Sequence, residues 1–172
     1  RTLSEGRTFD PDELFRLTGG NPFYLTQVLA GDGSIPASVR DSVLSRSERL
    51  KPETIAVIET SAAIGPVIPL DLLVAASGAN TAAIEEALRA GLLITVGNDL
   101  GFRHEIVRET VLSTLSPLRR RQIHGQILHV LSQLPDLPKR AATLAHHADE
   151  AADGDAVLRF APLAAQRAAS LG

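Results

Sequence analysis

The chain has no cysteine, no methionine and no tryptophan, and its aromatic residues are one Tyr and five Phe. Without cysteine there are no disulfides, thiolate zinc sites, iron–sulfur clusters or thiol nucleophiles. A reducing, cytoplasmic setting fits that composition. Aromatics at 3% provide no stacking platform for single-stranded nucleic acid. Lysine is scarce: of 17 Lys plus Arg only Lys51 and Lys139 are lysines, which leaves 15 arginines. No basic excess exists either, since 20 Asp plus Glu bring the formal net charge to -3 and the pI to about 5.9. That balance is far from the cationic footprint of a nucleic-acid binder. No apolar run approaches the roughly 20 residues of a membrane span. Arg1 to Phe9 lack the apolar stretch of a secretory signal. No membrane partner is expected.

What remains is a globular composition, 44% hydrophobic and 22% charged. A length of 172 residues allows one domain or two small ones. Such a chain buries roughly 70% of its unfolded surface, enough to fold without a metal or a disulfide. It does not begin with Met, and it ends at Ala168-Ala169-Ser170-Leu171-Gly172, where a helix would end but no domain need end. We read it as a segment of a longer protein, with part of the chemistry outside it.

The pattern is almost entirely helical. Asp10-Pro11 opens a short helix as cap and first turn, and Gly19-Gly20 stops it. Pro22 starts another that runs from Phe23 to Ala30, and Asp32-Gly33-Ser34 reads as a loop. Ile35, Val39, Val43 and Leu44 recur at helical spacing between Pro36 and about Arg49. Pro52 begins a helix with Ile55, Ile58 and Ala62 on one face, and Gly65-Pro66 ends it. A short helix after Pro69 is expected to turn Leu70, Leu73 and Val74 inward. Another, capped by Asn80 or Thr81 and stopped by Gly91, has Ile84, Ala87 and Leu88 inward. The period then changes: Leu92–Val96 and Leu100–Arg103 read as strands around Gly97-Asn98-Asp99. Helical spacing returns from His104 to Leu115, with Val107, Val111 and Leu115 aligned. It continues from Pro117, with Ile123, Ile127, Leu131 and Leu134 in a stripe that Pro135 and Pro138 break. Two Ala-rich helices, Ala141–Ala151 and Asp155–Leu171, close the chain and resemble one unit of a helical solenoid.

Three short helices followed by a hairpin is the element order of a winged helix. An arbitrary helical bundle carrying a hairpin is the alternative on pattern alone. The fold expected is mainly α: a helical lid, a winged-helix-like domain with one β-hairpin, then a TPR-like α-helical hairpin. The boundaries read as 1–33, 34–116 and 117–172.

Little catalytic chemistry is visible. There is no Gly-x-x-x-x-Gly-Lys-Ser/Thr phosphate loop, no His-Glu-x-x-His and no Gly-x-Ser-x-Gly elbow. His146 and His147 are adjacent, so on a helix they point about 100° apart, and His124 and His129 are five apart. Neither pair suits a metal on one helix face, and solvated or packing histidines are expected there. No metal site and no catalytic residue are assigned, and the chain by itself is not read as an enzyme. Glu85 and Glu86 oppose the single cation Arg89 on the helix a winged helix would use to read DNA, which argues against that role. Arg119-Arg120-Arg121 is the strongest basic run; it reads as a solvated face, with a partner anion the alternative.

Two segments rise above this background. Leu17-Thr18-Gly19-Gly20-Asn21-Pro22-Phe23-Tyr24-Leu25 resembles the GGNP segment of STAND ATPases, the AAA-related nucleotide switches of large LuxR-type, MalT-like transcriptional regulators. Phe102-Arg103-His104-Glu105-Ile106-Val107-Arg108-Glu109 resembles the segment that follows the wing in that family, with Glu105 where the wider class has Asp. Ile35-Pro36-Ala37-Ser38-Val39-Arg40 is similar to the helix after the GGNP segment. Leu144–Ala148 through Ala168–Gly172 is similar to the first hairpin of the family's TPR-like sensor region. The resemblance spans nearly the whole chain, in order.

The resemblance implies a division of labour. Gly20, Asn21 and Pro22 would pack on the base and sugar side of a nucleotide, and His104 would reach its diphosphate and lock a closed, ADP-bound form. ADP or ATP with Mg²⁺ would be held mainly by a P-loop ATPase domain of the same chain, outside these residues, and this segment alone would carry no cofactor. An unidentified effector would act on the TPR-like region, and DNA would be bound only by a domain beyond this segment. The residue types suit those roles. Pro22 has a fixed φ and no N–H, Asn21 tolerates turns, and His104 sits where strand becomes helix. Read without the resemblance, Asn21-Pro22 is a helix entry and His104 is a cap or a satisfied core histidine. The function implied is a regulatory switch segment of a STAND-type transcriptional regulator. An autonomous winged-helix DNA-binding domain, or the same module in a cyclase or kinase fusion, are the alternatives.

Overall fold

A computed structural model of the chain describes residues 10–30, 37–47 and 49–171. The loop expected at Asp32-Gly33-Ser34, and Ile35 and Pro36, lie outside the described residues. The chain is mainly α with one β-hairpin. Its order is α1 (Pro11–Thr18), α2 (Pro22–Ala30), α3 (Ala37–Ser47), α4 (Pro52–Ile64), α5 (Leu70–Ser77), α6 (Thr81–Arg89), β1 (Leu93–Val96), β2 (Asp99–Phe102), α7 (Glu105–Thr114), α8 (Pro117–Gln133), α9 (Leu137–Glu150) and α10 (Gly154–Leu171).

The helix starts follow local chemistry. The Asp10 carboxylate accepts from the Asp12 N–H at 3.0 Å, the Asn80 side chain from the Ala83 N–H at 2.9 Å, and the Ser116 hydroxyl from the Arg119 N–H at 3.2 Å. Each satisfies one donor that a helix N-terminus leaves unpaired. Lys51, which has no acceptor to offer, precedes α4 without a side-chain cap, and Pro52 begins the helix instead. In the hairpin, Val96 pairs with Asp99 across Gly97-Asn98, and Gly97 alone of the two has positive φ, at 62°. Glycine at the first central position is the requirement of a type II′ turn. The segment between α4 and α5 joins this sheet. Ile68 donates to and accepts from Leu100, at 2.8 and 2.9 Å, so the hairpin has a third, one-residue strand position on the Leu100 side. Helix, short strand, two helices and hairpin is the winged-helix order.

Two apolar clusters hold the fold. The first joins Tyr24 and Val28 of α2, Val43 of α3, Val57 and Ile58 of α4, Leu73, Ile84, Leu93, Phe102 and Ile106. The second gathers Ile123, Ile127 and Leu131 of α8, Leu144 and Ala148 of α9 and Phe160 of α10 around Ala63 and Ala76 of α4 and α5. Val57, Ile68, Leu73, Leu92, Ile123 and Leu144 are at or near zero exposure. Each contributes about 1.5–3 kcal/mol by leaving water. α4 belongs to both clusters and packs on α5, α6, α7 and α8.

Several expected faces are corrected. α4 has no single inward face: Thr54, Val57, Ile58, Thr60, Ser61, Ala62 and Ala63 are all buried, while Ile55 is only partly so. A helix surrounded by neighbours loses its amphipathic signature. On α5, Leu73 and Ala76 are buried, whereas Leu70 and Val74 stay about 40% exposed. On α3, Val43 is buried but Leu44 is exposed. At the end of α8, Leu134 falls at the C-cap and is exposed. Pro138 does not break a helix but occupies the first turn of α9, which therefore starts earlier than the alanine-rich run. Pro162 lies inside α10. Strand β2 begins at Asp99, one residue earlier than its apolar run.

Candidate functional site

α1 ends on two glycines in succession, with φ of 58° at Gly19 and 74° at Gly20. Left-handed backbone is open to glycine without a Cβ penalty, which is why this pair can end α1 and begin α2 two residues later. Thr18, fully buried, organises the turn. Its hydroxyl donates to the Leu14 carbonyl at 2.7 Å and accepts from the Gly20 N–H at 3.3 Å, while its carbonyl accepts from the Asn21 N–H at 3.0 Å. The Asn21 carbonyl accepts the first α2 bond, from the Leu25 N–H at 2.9 Å. Asn21 is therefore the entry residue of α2, and Gly19, Gly20 and Pro22 face solvent.

His104 stands at the N-cap of α7 in extended conformation, with φ -143° and ψ 137°. Its side chain makes no capping bond, so the cap reading is corrected. It is also not a satisfied core histidine: the residue is half-buried, and its Nδ1 is buried with no hydrogen-bond partner among the described residues. The ring meets Tyr24 edge-on, with centroids 5.1 Å apart at 75°. On its other side is the α1–α2 turn, so close that a Cβ on Gly19 would lie 2.8 Å from His104 Nδ1. Burial, then the Arg103 and Arg46 guanidinium groups, hold the His104 pKa below 6.5, with the Thr18 backbone pulling the other way. The imidazole is neutral at pH 7 in an electropositive surrounding.

Two residues of the motif beside His104, Glu105 and Arg108, are structural. Glu105 accepts from Arg108 Nε at 2.7 Å and lies 3.9 Å from Arg16 of α1. Arg108 Nη1 also donates to the Ala62 carbonyl of α4 at 3.0 Å. Glu105 and Arg108 thus tie α7 to α1 and α4.

The acidic residues of α6 are engaged. Glu86 accepts a hydrogen bond from Thr54 of α4, and Glu85 pairs with Arg89 at 3.5 Å on the exposed face. The exposed face of α6 carries no net positive charge. In the basic run of α8, Arg119 Nε pairs with Glu59 of α4 and Arg120 Nε with Glu150 of α9, each at 2.8 Å. The anions that meet these two arginines belong to the chain itself.

Sequence reasoning missed one cluster. His124 of α8 and His146 and His147 of α9 converge, with a potential ligand nitrogen of each within 4.8 Å of the others. The spacing arguments against intrahelical pairs hold, but the cluster forms between helices, and no local pattern shows it. The only available signal was the possibility that α8 and α9 pack antiparallel.

Among the described residues, no helix is long and apolar enough to cross a membrane. No family model, curated protein or solved structure matches the chain.

Proposed function

We propose that this chain is the switch segment of a STAND-type, ATP-binding transcriptional regulator of the LuxR class. It would pass the state of a nucleotide, held mainly by a P-loop domain of the longer protein, to output elements outside these residues. One observation carries the reading: the Gly19-Gly20-Asn21-Pro22 turn and His104, far apart in sequence, lie against one another. Two motifs singled out by resemblance thereby meet at one place in the fold.

The residues fit one side of a nucleotide diphosphate. A bound nucleotide would supply the negative charge of its phosphates and the planar face of its base. Arg103 and Arg46 make the neighbourhood of His104 favourable to an anion. Pro22 and Gly20 present an exposed, rigid edge of small polar demand. Phosphate cradling and Mg²⁺ placement are left to the P-loop domain. His104 would then be one of the contacts whose presence in one state and absence in another biases a switch.

The test is ADP retention and basal transcriptional output of the longer protein carrying His104→Ala. The reading requires faster ADP loss and raised output without effector. Undiminished retention with unchanged output overturns it.

A further inference from the structure

We propose that His124, His146 and His147 form a site for one divalent transition-metal ion of the zinc class, clamped between α8 and α9. The inference is independent of the nucleotide reading.

The geometry is that of a nascent three-imidazole site. His124 Nδ1 and His147 Nδ1 are 2.9 Å apart, at 2% and 1% residue exposure. The ring centroids of His124 and His147 are 5.0 Å apart, those of His146 and His147 5.2 Å, and those of His124 and His146 5.7 Å. Zinc takes imidazole nitrogens at about 2.0–2.1 Å, and a tetrahedral pair at that length is separated by about 3.3 Å. The observed pair needs to open by only about 0.4 Å.

The pair is also incompletely satisfied as it stands. Two neutral imidazoles hold two protons; one lies between the two Nδ1 atoms and the other on an Nε2. His124 Nε2 is buried with no partner among the described residues in either arrangement. On metal entry the bridging proton moves from Nδ1 to Nε2 of the same ring. Both imidazoles stay neutral, and both Nδ1 lone pairs turn to the ion.

The surroundings favour this class of ion. Desolvation, foremost, keeps both buried histidines neutral, lowered to about 4 for His124 and about 3 for His147. Neutral imidazole is the ligating form. Imidazole-only donors without thiolate suit zinc, nickel or copper and not calcium or magnesium. His146 is exposed and provides the entry path. Glu150, one helical turn beyond His146 on α9, faces His124 and offsets the positive charge brought by the ion, while Arg120 pairs with Glu150 at 2.8 Å. The position left by three protein ligands is open to water, as in sites that are not fully enclosed.

The experiment is calorimetric titration of zinc into the untagged chain in chelator-free buffer, beside His146→Ala. His146 is exposed, so that variant keeps the apo melting temperature. One equivalent of zinc bound, a raised melting temperature reversed by EDTA, and more than about a tenfold loss of affinity in His146→Ala support the site, since even outer ligand partners are worth that much. Absence of binding at about 100 µM zinc, weaker than a free-energy gain of about 5.5 kcal/mol, overturns it. So does binding that His146→Ala leaves unchanged.

Discussion

Gly19 and His104 are in contact across the joint between α1 and α7: a side chain on Gly19 would begin 2.8 Å from the imidazole Nδ1. The glycine is thus constrained twice, by its left-handed φ of 58° and by the ring beside it. Gly19→Ala should lower stability by about 1–3 kcal/mol, the combined cost of a disfavoured backbone and a displaced ring. Urea denaturation of the isolated chain measures it. A loss below about 0.5 kcal/mol, the scatter of an ordinary surface change, would show that the contact yields freely.

His104 carries a buried nitrogen, Nδ1, with no hydrogen-bond partner among the described residues. Replacing the ring by an apolar one of similar shape removes that desolvation cost and keeps the edge contact to Tyr24. His104→Phe should therefore raise the stability of the isolated chain by about 1 kcal/mol, or about 2–4 °C in melting temperature. The same variant in the longer protein should lose ADP. Stability gained where activity is lost marks a residue held for function. A markedly lowered melting temperature would instead mark a structural histidine.

Arg108 joins α7 to α4 through the Ala62 carbonyl and neutralises Glu105. Arg108→Met would keep much of the stem but strand both acceptors, leaving Glu105 only the distant, exposed Arg16. The expected cost is about 1.5–3 kcal/mol. Double-mutant analysis with Glu105→Gln should give a coupling of about 0.5–3 kcal/mol; additivity would mean that the pair is not a unit.

The exposed face of α6 should not bind duplex DNA. Glu85 and Arg89 cancel at 3.5 Å, and Glu86 is turned to Thr54. Phosphate contact needs net cationic surface. Fluorescence anisotropy with labelled duplex at physiological salt should show no saturable binding. Binding that Arg89→Ala abolishes would restore the autonomous winged-helix reading.

In EDTA, stability should fall with acid through a defined window. His124 and His147 are held neutral by burial, with folded values of about 4 and about 3 against 6.5 unfolded. The groups facing them are Glu150, which favours protonation of His124, and Arg120 and His146, which oppose it. The unfolded chain takes up protons that the folded chain refuses. The contribution is therefore complete above pH 6.5 and is lost as pH falls toward 4. Melting temperatures between pH 7 and pH 4 should decline less in His124→Gln/His147→Gln than in the unaltered chain.

What was legible in the sequence was local. Asn80 as a cap, Gly97 in the hairpin turn and Pro117 at a helix start depend on neighbours a few residues away, and each is where the pattern puts it, although the turn is one residue shorter than the Gly97-Asn98-Asp99 read from sequence. Burial on α4 and α5 was not legible, because it depends on which helices surround them. Leu70 and Leu73 are equally apolar, yet only Leu73 faces the core. At the candidate site, resemblance named Gly20, Asn21, Pro22 and His104, but not the Gly19 contact or the edge-on Tyr24, which need the tertiary approach of α1 and α2 to α7. The histidine cluster was hidden for the same reason: His124 and His147 meet only after α8 and α9 fold back on one another.

The paired arginines of α8 give that helix a mechanical position. Arg119 grips Glu59 on α4, and the next residue, Arg120, grips Glu150 on α9. α4 in turn presents the Ala62 carbonyl to Arg108, three residues past Glu105 and four past His104. A torque applied to the last two helices would reach the imidazole through rigid rods and three polar joints, without any loop in the transmission. Lengthening α8 by one residue should therefore rotate its far end by about 100° and break the Arg120–Glu150 joint.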